Sequence, residues 1–128
     1  MSYYTNKTLE GTFDQVVEKV TNALKEEGFG VLSDIDVSAT LKKKLDVNFR
    51  NYRILGACNP PNAHKALTAE PYIGLMLPCN VVVQETDDGK VDVSAVNPVA
   101  SMTAVENSEL EPVASNIKEK LERVINNL

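Results

Sequence analysis

The chain has 128 residues and a formal net charge of −5. A domain of this length buries roughly two thirds of the surface of its unfolded chain, so it can hold a core without disulfides. Its acidic residues are scattered, which argues against a surface for nucleic acid or anionic membrane, and no stretch approaches the roughly 18 apolar residues of a membrane span. We expect one cytoplasmic domain over residues 1–128, with reduced cysteines, because its N-terminus has no apolar signal region.

The first third of the chain predicts a strand, a helix and a second strand. Residues 3–9 alternate weakly and are rich in β-favouring residues. Thr12 and Gln15 have the spacing of a capping box, in which each side chain satisfies a free backbone N–H of the first helical turn. The apolar residues that follow have helical spacing, and residues 31–37 return to the alternation of a strand.

The middle of the chain predicts a short helix, an inner strand and another helix. Asp36 or Ser38 can cap the short helix, which ends near residue 45. Residues 52–57 are almost wholly apolar, as in an inner strand. Asn59 is then placed to cap a helix, and Pro60 suits its first position because no N–H is needed there.

The last part of the chain predicts a hairpin and a long helix. The prolines and the glycine of residues 71–78 disfavour both helix and strand, so this apolar segment is expected to be a loop that needs a cover. Residues 80–86 and 91–96 flank an Asp-Gly turn and predict a β-hairpin. Ser108 and Glu111 repeat the capping box, and a long apolar stripe follows.

The predicted order of elements is βαβαβαββα. The chain has about five strands and only enough amphipathic helices to cover one face of a sheet. This favours an α+β fold, a two-layer sandwich with a mostly antiparallel or mixed sheet. If the strands that flank the helix after Asn59 are parallel, the two cysteines lie about 20 Å apart, at opposite ends of the sheet. If those strands are antiparallel, the cysteines can share a site. The pattern of residues leaves both arrangements open.

The central segment holds both cysteines and the only histidine of the chain. Each cysteine is followed by asparagine, as Cys58-Asn59 and Cys79-Asn80, and His64 follows on the predicted helix. Cys58 precedes a helix N-terminus, where the helix dipole stabilises a thiolate, and His64 could reach back to it. Cys58 is therefore the better candidate for a reactive thiol.

Three interpretations of these residues stay open. In the first, Cys58, His64 and Cys79, with Met76 or Met102, bind a soft metal such as Cu(I) or Zn(II), or a haem-like ligand. In the second, Cys58 serves a thiol-redox enzyme. In the third, both cysteines are buried core residues of a structural or partner-binding protein, since free cysteine is among the residues most often buried.

We favour a binding module over an enzyme, because no carboxylate is obviously placed beside the histidine in the sequence. The expected pocket binds a soft metal or a small thiol-reactive ligand through Cys58, Asn59, Cys79 and Asn80. For a metal, the expected ligands are Cys58, His64 and Cys79. The residues do not indicate which cofactor, if any, the protein holds.

Several segments resemble the bacterial and archaeal family catalogued as domain of unknown function 302. They are Ile54-Leu55-Gly56-Ala57-Cys58-Asn59-Pro60, Ala63, Ala66-Leu67, Ile73-Gly74-Leu75-Met76-Leu77-Pro78-Cys79-Asn80 and Asn97-Pro98. The resemblance covers essentially the whole chain and implies a compact α+β domain that tends to form homodimers, with no agreed activity. Together with the apolar residues 71–78 and the exposed edge expected of the hairpin, it predicts a homodimer.

Overall fold

The structure is a computed structural model that describes residues 2–128. Its elements follow the predicted order, with a 3-10 helix and one short α-helix in addition. They are β1 (Tyr4–Leu9), α1 (Phe13–Glu26), β2 (Gly30–Asp36), α2 (Val37–Leu45), β3 (Tyr52–Cys58), α3 (Pro60–Ala69), the 3-10 helix (Pro71–Met76), β4 (Cys79–Glu85), β5 (Val91–Val96), α4 (Pro98–Ser101) and α5 (Leu110–Asn126).

Three of the helices begin at the caps that the sequence predicts. The Thr12 hydroxyl accepts from the Gln15 backbone N–H at 3.2 Å, and the Gln15 side chain accepts in return from the Thr12 N–H. Asp36 caps α2 by accepting from the Ala39 N–H at 2.9 Å. Asn59 caps α3. These interactions lie within a few residues of each other, so they form wherever the local sequence allows them.

Two local predictions in the second half are wrong. Residues 71–78 are not a plain loop, because Pro71–Met76 forms a 3-10 helix. The capping box of Ser108 is absent, and α5 begins at Leu110 without a side-chain cap. Asn107 takes the role of local acceptor, since its side-chain oxygen accepts from the Glu109 N–H at 3.1 Å.

The five strands form one antiparallel sheet in the order β1-β5-β4-β3-β2. This confirms the predicted α+β fold. The hairpin of β4 and β5 occupies the middle of the sheet, because β1 pairs with β5. The expectation that this hairpin offers an exposed edge is therefore wrong, and the edges are β1 and β2. β3 and β4 are antiparallel neighbours, and Ala57 lies opposite Cys79.

One face of the sheet holds the core. Helices α1 and α5 pack against this face, and their apolar stripes meet the inward residues of β4 and β5. Leu24 of α1 is completely buried, and Leu121 of α5 is 1% exposed. The strand residues that face them share this burial: Val81, Val83, Val91, Val93 and Ala95.

On the other face, which we call the open face, the strand residues of the described chain 2–128 are exposed or half-buried, except for Gly56. Strand residues alternate between the two faces, so the register assigns the residues of this one. They are Tyr4, Asn6, Thr8, Gly30, Ser33, Ile35, Tyr52, Ile54, Gly56, Cys58, Asn80, Val82, Gln84, Asp92, Ser94 and Val96. A broad depression of about 580 Å³ lies on this face. Among residues 2–128, no helix has the length and apolar character that crossing a membrane requires.

Candidate functional site

A cavity of about 290 Å³ lies at the end of the sheet where β3 gives way to α3. Its walls come from the end of β3, the first turns of α3, the segment after the 3-10 helix and the start of β4. The surface inside is almost wholly apolar. Ala63, Ala66 and Leu67 form the α3 wall. Small-molecule sites are typically concave and mostly apolar in this way.

Both cysteines contribute to the lining of this cavity, but they are not close to one another and both are free thiols. Cys79 faces the core beside its partner Ala57, whereas Cys58 is one residue further along β3 and therefore points to the opposite face. Cys58 is half-buried, and Cys79 is 5% exposed. Burial raises the pKa of the Cys79 thiol to about 11, and the negative charge that Cys58 can carry adds to the rise.

These environments predict very different reactivity for the two thiols. At pH 8 we expect iodoacetamide to modify Cys58 of the native protein and to leave Cys79 unmodified, because the thiolate is the nucleophile and Cys79 is buried and protonated. Mass mapping of the alkylated peptides measures this. In Cys58→Ser no thiol should react until urea is added. Equal rates at the two cysteines would contradict the assignment.

Asn59 has a structural role that occupies its whole side chain. Its amide nitrogen donates to the Gly28 carbonyl at 3.2 Å, and its oxygen accepts from the backbone N–H and the side chain of Asn62. Asn62 in turn donates to the Asn116 side-chain oxygen at 3.0 Å. This buried network joins the end of α1 to α3 and α5. Asn59 also lines the cavity, and its ligand-binding role stays a prediction.

Asn80 and His64 lie outside the cavity, which corrects the predicted grouping. Asn80 follows Cys79 on β4, so it points to the open face, where it is exposed. His64 is exposed in a separate groove between α3 and α5, with Lys65 and Glu109. Successive residues of a helix are about 100° apart, so His64 cannot share the direction of Ala63. His64 therefore does not reach back to the cysteine.

The soft donors of the central segment are consequently dispersed. Within residues 2–128, no group of three or more His, Cys, Asp and Glu side chains is arranged to hold a metal ion. Met76 is 40% exposed, and Met102 lies in a different depression against α5. The cavity offers one half-buried thiol and carbon surface, which suits an apolar ligand better than a metal.

Several residues that shape this site are not predicted from the sequence. Phe29, which directly precedes β2, lines the cavity, and so do Leu32, Leu77 and Pro78. Gly56 lies under Pro78 with no room for a side chain. One signal in the sequence could have indicated the buried network beside the cavity. It is Asn62, three residues after Asn59, at the position where a capping box has a polar side chain.

Comparison of the chain with known proteins identifies its family. The family model described as "Domain of unknown function DUF302" matches residues 5–128. The chain belongs to the DUF302 family. The resemblance seen in the cysteine segments is thereby confirmed. No curated protein matches the chain.

A solved structure supports both the DUF302 assignment and the fold. It is the crystal structure of an uncharacterised conserved protein DUF302 from Bacillus stearothermophilus, which is 25% identical in sequence. The match covers 98% of each chain with a TM-score of 0.91. The family is uncharacterised, so its name brings no reaction or ligand to this chain, and function must be argued from the cavity.

Proposed function

We propose that this DUF302 protein is a binding module that holds a small apolar, thiol-reactive molecule in the cavity beside Cys58. The observation that carries the proposal is an almost wholly apolar cavity of about 290 Å³ with a half-buried thiol in its wall. An apolar cavity of about 150 Å³ is large enough for benzene. The present cavity therefore suits a molecule of one or two rings.

The mouth of the cavity supports entry from solvent. Leu32 is 72% exposed and Leu67 is 45% exposed, and both line the cavity. Exposed apolar side chains around a concave apolar surface are typical of ligand-binding sites. A molecule that binds here would cover them and come into reach of Cys58.

The other two functions considered from the sequence have less support. A soft-metal site at Cys58, His64 and Cys79 lacks an assembled donor set among the described residues. A thiol-redox enzyme based on Cys58 would find no resolving thiol in Cys79, because the two cysteines are not close. A cavity that binds without turnover requires neither arrangement.

The test uses indole, a neutral two-ring probe, and two alkylating reagents. We expect saturating indole to slow modification of Cys58. Because the cavity wall is apolar, we also expect the ratio of the rates with neutral iodoacetamide and anionic iodoacetate to be higher at Cys58 than for a small free thiol such as glutathione. Ala63→Phe should fill the cavity and weaken indole binding at least about tenfold, as measured by calorimetry. The matched control is Ala39→Phe, on the exposed surface of α2.

The outcomes separate the alternatives. Loss of indole binding in Ala63→Phe, with Ala39→Phe unchanged, supports the proposal. No indole binding by the native protein, or equal binding by the two variants, overturns it. Elemental analysis of protein purified without chelator tests the metal alternative, since a stoichiometric metal that is lost in Cys58→Ser would favour it over the apolar ligand.

A further inference from the structure

The depression on the open face is lined by aromatic and polar side chains. Its volume is about 580 Å³, and it extends over β3, β4, β5 and β1. Three of its lining residues are tyrosines, although the whole chain has only four. Most of the others carry an amide, a hydroxyl or a carboxylate: Asn6, Asn80, Gln84, Thr86, Asp92 and Ser94. This composition differs from that of the cavity beside Cys58, whose surface is almost wholly apolar.

The tyrosines stand at two opposite corners of the depression. Tyr4 begins β1 and Tyr52 begins β3, and these strands run in opposite directions, so the two residues lie at opposite ends of the face. Three strand spacings across the sheet and four residues along it put them about 20 Å apart. Tyr3 forms an edge-to-face pair with Tyr4, with ring centroids 5.0 Å apart. Each corner therefore offers an aromatic surface.

Between these corners, polar side chains hold one another and keep hydrogen-bonding groups free for a ligand. Asp92 Oδ1 accepts from the Asn6 amide at 2.8 Å, which leaves Asp92 Oδ2 to accept from a ligand. Gln84 Oε1 accepts from Arg50 Nε at 3.0 Å, so the Gln84 amide nitrogen is left to donate. Gln84 and Asp92 are directly opposite each other on β4 and β5. A donor and an acceptor thus stand side by side, with about 5 Å between their Cβ atoms.

The charges on this face suit a neutral ligand. Of the open-face strand residues in the described chain 2–128, Asp92 alone is charged at neutral pH. Arg50 at the rim balances it. The chain as a whole has a net charge of −5, so it repels an anionic ligand, and a nucleic acid would need several basic residues. A ligand without net charge meets no such opposition.

We propose that this depression binds a neutral carbohydrate of two or more sugar rings. A sugar ring has C–H groups that pack against an aromatic face, and hydroxyls that both donate and accept. Neighbouring hydroxyls of one ring therefore match the adjacent acceptor of Asp92 and donor of Gln84. The tyrosine corners are too far apart for a single ring to reach both, so a short chain of rings fits better than a monosaccharide or a nucleoside.

The site is suited to binding a carbohydrate and not to cleaving it. Glycoside hydrolysis generally uses two carboxyl groups within about 10 Å of each other, on either side of the bond that is cut. Asp92 provides the one carboxyl group among the lining residues of the depression. The site is also separate from the proposed function of the Cys58 cavity, because the two share no lining residue.

The experiment is calorimetric titration of the full chain with cellotriose, maltotriose and triacetylchitotriose. We expect at least one of these neutral trisaccharides to bind with a Kd of about 1 mM or below. Tyr52→Ala removes one aromatic corner and Asp92→Ala removes the acceptor, so each should weaken binding of that sugar at least about tenfold. The matched control is Tyr72→Ala, which removes a 77% exposed tyrosine outside the depression and should leave the Kd unchanged.

A further variant guards against misfolding. Asn80→Ala truncates an exposed side chain of the depression without entering the core, and it should also weaken the sugar while its circular dichroism melt stays cooperative. The corresponding monosaccharide should bind more weakly than the trisaccharide. Absence of binding by all three trisaccharides at millimolar concentration would overturn the proposal. So would equal Kd values for Tyr52→Ala and Tyr72→Ala, or tighter binding of adenosine than of any sugar.

Discussion

Leu121→Asp should leave the protein unfolded at room temperature. Leu121 is 1% exposed and lies in the middle of the α5 stripe that covers the sheet. An aspartate there buries a charge with no partner, at a cost of at least about 4 kcal/mol. A domain of this size is stable by only about 5–15 kcal/mol in total. Circular dichroism should therefore show loss of the cooperative thermal transition.

The control for this variant is Ser115→Asp, on the exposed side of the same helix. It adds the same charge and the same side chain without entering the core, so its melting temperature should stay within a few degrees of wild type. A cooperative melt of Leu121→Asp close to that of the control would show that the α5 stripe is not buried. The comparison isolates burial from the effect of adding a negative charge to an acidic protein.

Local interactions are the part of this fold that the sequence predicts well. The caps at Thr12, Asp36 and Asn59 each join residues three apart, and the hairpin turn lies between strands that are neighbours in the chain. Such contacts depend on a few adjacent side chains and need no knowledge of the tertiary structure. The cap at Ser108 fails because Asn107, one residue earlier, supplies a competing acceptor.

Strand order is not predictable in the same way. β1 pairs with β5 across most of the chain, with Tyr4 opposite Val96, and this pairing moves the hairpin from the edge to the centre of the sheet. Alternation of apolar residues in a strand says that one face is buried, but not which strand lies beside it. For the same reason, the sequence does not show whether the two strands that carry the cysteines are parallel or antiparallel.

The structure separates several of the residues that the sequence groups in one candidate site. Proximity in sequence suggested that Cys79 and Asn80 act together, yet adjacent strand residues point to opposite faces. On α3, the side chains of His64 and Ala63 also point in different directions, because successive residues of a helix are about 100° apart. The lining of the cavity includes Leu32 and Pro78, which come next to it only through the tertiary fold.

Gly56→Ala should destabilise the protein by about 1–3 kcal/mol, the usual cost of overpacking. A methyl group at Gly56 would overlap the Ser33 hydroxyl and lie 2.7 Å from the Pro78 ring. The hydroxyl can turn away, but the proline ring cannot, because Pro78 precedes the central strand β4. Gly30→Ala in the neighbouring strand is the matched control, since a methyl group there meets nothing within 4 Å.

Urea denaturation of both variants measures the difference, and the Ser33→Gly background separates the two clashes. Removing the serine side chain should recover part of the loss in Gly56→Ala, and the remainder should report on Pro78. Because Pro78 also lines the cavity, displacement of its ring should weaken indole binding in Gly56→Ala while Gly30→Ala binds normally. If Gly56→Ala is as stable as Gly30→Ala, the close packing of β2, β3 and Pro78 is not rigid, and the cavity beside it is not preformed.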